Sequence, residues 1–121
     1  MADVLARVGE RWTMVIVHQL GHGSMRFNEL RREIPGITQK VLTSTLRTLE
    51  RDGFVLRTVT HTVPPRVDYE LTPLGRDLLV PVNALADWAA HNLQRLLAAR
   101  GQVEAPADEA QAQPDGGREA A

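Results

Sequence analysis

The chain contains no cysteine in its 121 residues, which excludes a disulfide framework, a thiolate metal site and a cysteine redox switch within it. Nor does it contain a run of about 18 consecutive apolar residues, the length a membrane-crossing helix needs. The opening Met1-Ala2-Asp3-Val4 has neither the basic region nor the apolar stretch of a secretory signal. A cytoplasmic protein is therefore expected. A marked charge imbalance is missing too, the formal net charge being −1. The field near a surface follows local charge, however, so the total must be divided along the chain. Residues 26–66 hold eight Arg and Lys against four acids, whereas from Gly101 to Ala121 one Arg faces five acids. A basic middle is masked by an acidic end.

What is present suffices for one domain: 43% of the residues are hydrophobic, enough for a modest core at this length. The expected division is a folded domain over residues 1–100 and a disordered acidic tail over 101–121. The tail has one branched aliphatic residue, Val103, and is otherwise Ala, Gly, Pro, Gln and charged residues, too little to offset the entropy of ordering. An alternative for it is an acidic segment that competes for the basic face.

Gly and Pro punctuate the first 100 residues. Asp3 can cap a first helix carrying Val4, Leu5 and Val8 and ending near Gly9. "WTMVIVHQL", Trp12 to Leu20, is too continuously apolar for a surface helix and predicts the central buried one. After "GHGS", Met25 and Phe27 can point inward from a short extended segment, Leu30 and Ile34 mark another helix, and Pro35-Gly36 ends it. The next helix runs from Thr38, a plausible N-cap, to a stop at Gly53. At about 100° per residue, Leu46 and Leu49 fall within about 40° of Leu42, so Lys40, Ser44, Arg47 and Arg51 lie on the opposite side. Thr43 sits between the faces, and Gln39, nearer the apolar one, can still project forward from the first turn.

"FVLRTVTHTVPPRVDYELT" alternates, is rich in Val and Thr, and breaks at Pro64-Pro65, the pattern of a β-hairpin with His61, Pro64, Pro65 and Arg66 at its tip. Thr72-Pro73 then starts a long helix, Thr as N-cap and Pro at the first position, reaching to about Ala99. Pro81 is expected to kink or split it. The predicted fold class is mainly α with a small β-hairpin wing, a winged helix-turn-helix.

In that architecture the second helix of the motif enters the DNA major groove and the wing reaches adjacent backbone or minor groove. The residue types suit the task. Arg47 can pair with guanine, Gln39 with adenine, Thr43 can touch a thymine methyl or a base edge, and Lys40 and Ser44 can reach phosphate or base. Arg26, Arg31, Arg32 and Arg66 are expected on phosphates, which position without specifying. The recognition helix carries no acid before Glu50. A charged outward face is also what any solvated helix shows, so a winged-helix module that joins protein partners without direct DNA binding is the alternative.

"GERWTMVIVHQL", "RFNELRREIPGITQKVLTSTLRTLERDGFV", "VPPRVDYELTPLGRDLL" and "LADW" together resemble the HxlR family of bacterial winged helix-turn-helix transcriptional regulators, over nearly all of residues 4–90. The resemblance implies a homodimer, joined by the first and C-terminal helices, that binds an inverted-repeat operator and usually represses a nearby gene. By motif it assigns Thr38, Gln39, Lys40, Thr43, Ser44 and Arg47 to DNA from the recognition helix, and Arg66 from the wing. Many members sense oxidants through a Cys shortly before the first helix. That position would fall ahead of Met1, so either sensing uses something else or the start is shortened.

Dimerisation is also expected from the residues themselves, since a small domain has little use for a helix with Leu85, Trp88, Leu93, Leu96 and Leu97 unless another surface covers it. Val4, Leu5 and Val8 are expected in the same interface. Folding back onto its own core is the alternative. His18 and His22 stand four apart, but Gly21 should end the helix between them and no third ligand is suitably spaced, so no metal is expected. His61 and His91 are expected to be ordinary surface or interface histidines. Trp12, Trp88 and Tyr69 could line a pocket for a small-molecule effector, a candidate third partner, although core packing explains them better. No nucleophile-base-acid set or phosphate loop stands out, so neither an enzyme nor a cofactor is expected.

Overall fold

A computed structural model of the chain describes residues 1–8 and 10–108, with the side chains of Val4, Arg7, Val8 and 102–108 outside the description. The order is α1 (Ala2–Val8), α2 (Arg11–Leu20), β1 (Met25–Arg26), α3 (Phe27–Glu33), α4 (Gln39–Arg51), β2 (Val55–Thr60), β3 (Arg66–Leu71), α5 (Pro73–His91) and α6 (Leu93–Asp108). By packing the chain divides into two compact units, Met1–Asn83 and Ala84–Ala121. No described helix is long and apolar enough to cross a membrane.

The first unit is built on one apolar cluster. Ile16, Val17 and Leu20 of α2, Leu30 of α3, Leu42, Leu46 and Leu49 of α4, Val55, Leu71 and Val82 are buried together, with Ile34 and Ile37 from the turn between α3 and α4. Trp12, Met25, Phe27 and Tyr69 are half-buried against it. At roughly 1.5–3 kcal/mol for each fully buried leucine, the stripe on α4 fixes how that helix is rotated. Its other side is then left to solvent.

Local chemistry sets the ends of these helices. Thr38 has the expected extended backbone, and its Oγ1 accepts the Val41 N–H at 3.1 Å. Gly53, at φ 87°, turns the chain out of α4 in a region other residues rarely enter. Thr72 likewise accepts the Gly75 N–H at 3.1 Å to start α5. Gly75 is buried there, and a Cβ at that position would run into the Phe54 carbonyl oxygen.

β2 and β3 form the antiparallel hairpin, in register from Val55 opposite Leu71 to Thr60 opposite Arg66. The short extended segment before α3 joins them as a third strand: β1 pairs with β3, Met25 opposite Tyr69 and Arg26 opposite Asp68, giving the order β1-β3-β2.

The C-terminal part departs from expectation in two places. Pro81 lies inside α5 without ending it. The interruption comes at Asn92, whose side-chain amide and backbone N–H both donate to the Trp88 carbonyl, at 2.8 and 3.0 Å. α6 then passes the expected boundary at Gly101 and continues to Asp108, with Gly101 and Pro106 inside it. The rest of the expected acidic tail, residues 109–121, lies outside the described residues.

Candidate nucleic-acid interface

α3, the turn at Pro35-Gly36 and α4 make the helix-turn-helix, and the outward side of α4 is open. Gln39, Lys40, Ser44, Arg47 and Arg51 are exposed and Thr43 is half-buried, while Leu42, Leu46 and Leu49 on the inner side are at most 2% exposed. Gln39, Lys40, Thr43, Ser44 and Arg47 line one shallow groove along the helix. Gln39, in the first turn, is exposed and lines the groove although its angle lies nearer the apolar face. Thr38 is exposed at the helix start with one acceptor position of its hydroxyl used in capping.

A second basic cluster lies where the start of α3 meets the wing. Arg26, Arg32 and Arg66 line one cleft together with the acids Glu29 and Asp68. Glu29 accepts the Arg26 backbone N–H at 2.8 Å, making half of a capping box that the arginine side chain, having no acceptor, cannot complete. Arg31 is exposed in the last turn of α3, where its charge suits the helix dipole, but it does not line this cleft.

Arg66 is not a free loop-tip cation. It is the first residue of β3, and its Nε donates to Asp68 Oδ2 at 3.0 Å. With side-chain exposures of 51% and 21%, the pair contributes little to stability. Because the contact uses Nε, the terminal guanidinium nitrogens stay available. Asp68 lies outside the sequence-derived set, yet its signal is visible: residues two apart on a strand share a face, so Arg66 and Asp68 had to be neighbours.

The remaining candidates separate. His18 Nδ1 lies 2.8 Å from Asn83 Oδ1, His22 Nδ1 donates to the Gln19 carbonyl at 3.1 Å, and the two rings meet edge to face at 5.9 Å. Among the described residues no group of three His, Cys, Asp or Glu is placed to hold a metal. His61 is exposed, and His91 Nδ1 bonds the Asp87 carbonyl at 2.7 Å. Core packing accounts for Trp12 and Tyr69 but not for Trp88, which is 54% exposed. Leu85, Leu93, Leu96 and Leu97 are exposed as well, and Leu5 of α1 is 63% exposed. The side chains of Val4 and Val8 lie outside the described residues.

Comparison with known proteins agrees with this geometry. The model of the HxlR-like helix-turn-helix family matches residues 7–96. The HTH-type transcriptional regulator YtfH of Escherichia coli is 45% identical over 100 residues, covering 83% of this chain and 79% of that protein. YtcD of Bacillus subtilis, another HTH-type transcriptional regulator, is 45% identical over 89 residues, 74% of this chain and 71% of the relative. Among solved structures, the transcriptional regulator YtfH from Salmonella typhimurium gives a TM-score of 0.75 at 44% identity, over 82% of this chain and 88% of its own. The redox regulator HypR in its reduced form gives 0.74 at 41% identity, over 80% and 96%.

Proposed function

The chain belongs to the HxlR-like helix-turn-helix family of transcriptional regulators, and from that premise we propose that it is a sequence-specific repressor that binds an inverted-repeat operator as a homodimer. HTH-type regulators of this family are not enzymes, and their work is to bind DNA. The observation that carries the reading is the outward side of α4, where bidentate and phosphate-seeking side chains share one groove with no acid among them.

In this reading Gln39, Thr43 and Arg47 read base edges from the major groove, while Lys40, Ser44 and Thr38 bridge between base and backbone. Arg26, Arg31, Arg32 and Arg66 hold phosphates on either side. The protein acts in the cytoplasm, on the chromosome, and represses by occupying the promoter.

The dimer is supported by the apolar side chains left bare on α5 and α6: Leu85, Trp88, Leu93, Leu96 and Leu97 are 38–54% exposed. A monomer seldom leaves so many large apolar groups in water without a partner. A twofold pair on an inverted repeat needs its two recognition helices about 34 Å apart, one DNA turn, and Val4, Leu5 and Val8 of α1 are the further residues assigned to the interface in this proposal. A small-molecule effector is a third partner in this proposal. Within these 121 residues a thiol cannot be the sensor.

Anisotropy titration of labelled DNA from the protein's own upstream region tests the proposal. Two chains per site and a clear preference for one fragment are expected. Trp88→Glu combined with Leu93→Glu should sediment as a monomer and lose most of the operator affinity while keeping the helical content. A wild-type chain that is monomeric on its site contradicts the dimer, and equal binding to all fragments contradicts the function.

A further inference from the structure

The start of α2 borders a cleft of about 400 Å³, with Glu10 to Thr13 on one wall and Ser44, Thr45 and Thr48 of α4 on the other. Two separate features of it call for an anion. First, the Glu10 side chain makes no capping bond, so the first-turn N–H groups of a ten-residue helix have no side-chain acceptor among the described residues. Second, Thr13 is 4% exposed, yet its hydroxyl has no hydrogen-bond partner among the described residues. A buried hydroxyl without a partner carries a desolvation cost that an arriving acceptor would remove.

Charge and position say which anion. The Arg11 guanidinium lies 4.6 Å over the Trp12 ring, which holds a cation at the mouth of the cleft. Ser44 and Thr48 also line the groove that carries Lys40 and Arg47, so the cleft opens directly beside the surface assigned to the duplex. We propose that this cleft seats one phosphodiester of the DNA backbone, bonded by the first-turn N–H groups of α2 and the Thr13 hydroxyl and neutralised by Arg11. The inference rests on the DNA-binding reading and adds to it a clamp on the central helix. Thr45 offers a further hydroxyl, whereas Thr48 spends its own on the Ser44 carbonyl at 3.2 Å. Glu10, at the rim, opposes the phosphate and weakens the clamp.

The test uses the full chain and its preferred upstream fragment at several salt concentrations, with urea unfolding in parallel. Thr13→Val keeps the shape and removes the hydroxyl; it should fold at least as stably as wild type yet bind DNA about fivefold more weakly. Exposed Arg11→Gln should cost about tenfold and make the log-log salt slope shallower by about 0.9, and Glu10→Gln should tighten binding. When neutral methylphosphonates are scanned along the fragment, one position should penalise wild type but not Thr13→Val. Wild-type affinity and slope in both Thr13→Val and Arg11→Gln would overturn the clamp. So would inorganic phosphate that shifts the Arg11–Thr13 amides of the free protein and stays bound when DNA is added, since the cleft would then serve a free anion. A wild-type chain that binds no DNA would instead sink the functional reading itself.

Discussion

Raising monovalent salt from 50 to 200 mM is expected to weaken the protein's hold on its preferred DNA by about 10⁴-fold, the loss that follows from six to ten phosphate contacts. The number comes from the placement of the arginines. Arg26, Arg31, Arg32 and Arg66 are exposed on the α3 and wing side of α4, and the proposed homodimer doubles them. Each neutralised phosphate releases counterions and adds about −0.9 to the slope of log affinity against log salt. The net charge of −1 would suggest almost no salt dependence. The local field decides, because charges more than about 10 Å away are screened at these concentrations. A slope shallower than about −2 would mean that these arginines do not rest on phosphates.

The second large effect concerns the inner side of the same helix. Leu42→Ala should destabilise the domain by about 2–5 kcal/mol, read as a shift in the urea midpoint. Leu42 is fully buried, and the loss combines its transfer free energy with a cavity that α2 and α4 cannot close. Against a total of roughly 5–15 kcal/mol this can unfold much of the population, so DNA affinity should fall with the folded fraction while base preference stays the same. Lys40→Ala, on the exposed side, should move the midpoint by no more than about 0.5 kcal/mol. A Leu42→Ala midpoint equal to wild type would contradict the inward and outward division of α4.

That division was legible in the sequence because it is local. Leu42, Leu46 and Leu49 recur at helical spacing, Thr38 supplies the cap and Gly53 the stop, and each of these signals acts within a few residues. The wing was legible for the same reason, from alternating Val and Thr around Pro64-Pro65. What escaped was non-local. The extended backbone at Met25 was readable, but not its partner, because β1 becomes a strand only through pairing with β3, far along the chain. The Arg66–Asp68 pair was readable in principle from strand periodicity, but only once the strand was known to begin at Arg66. The cleft beside α2 has Glu10 to Thr13 on one helix and Ser44, Thr45 and Thr48 on another, a juxtaposition that no single segment encodes. Of the two outcomes expected at Pro81, a kink or a split, the split does not occur. Pro81 is exposed, where water can satisfy the freed carbonyl, and α5 runs through it.

The proposed function requires the outward side of α4 to lie against a duplex and read it. The direct measurement is a competition titration of wild type, Arg47→Ala, Arg66→Ala and Arg32→Ala against the preferred fragment and its single base-pair variants. Arg47→Ala should lose discrimination of about 1–3 kcal/mol at one base-pair position, while Arg66→Ala and Arg32→Ala weaken every fragment alike. Equal, sequence-independent losses in all three would contradict it.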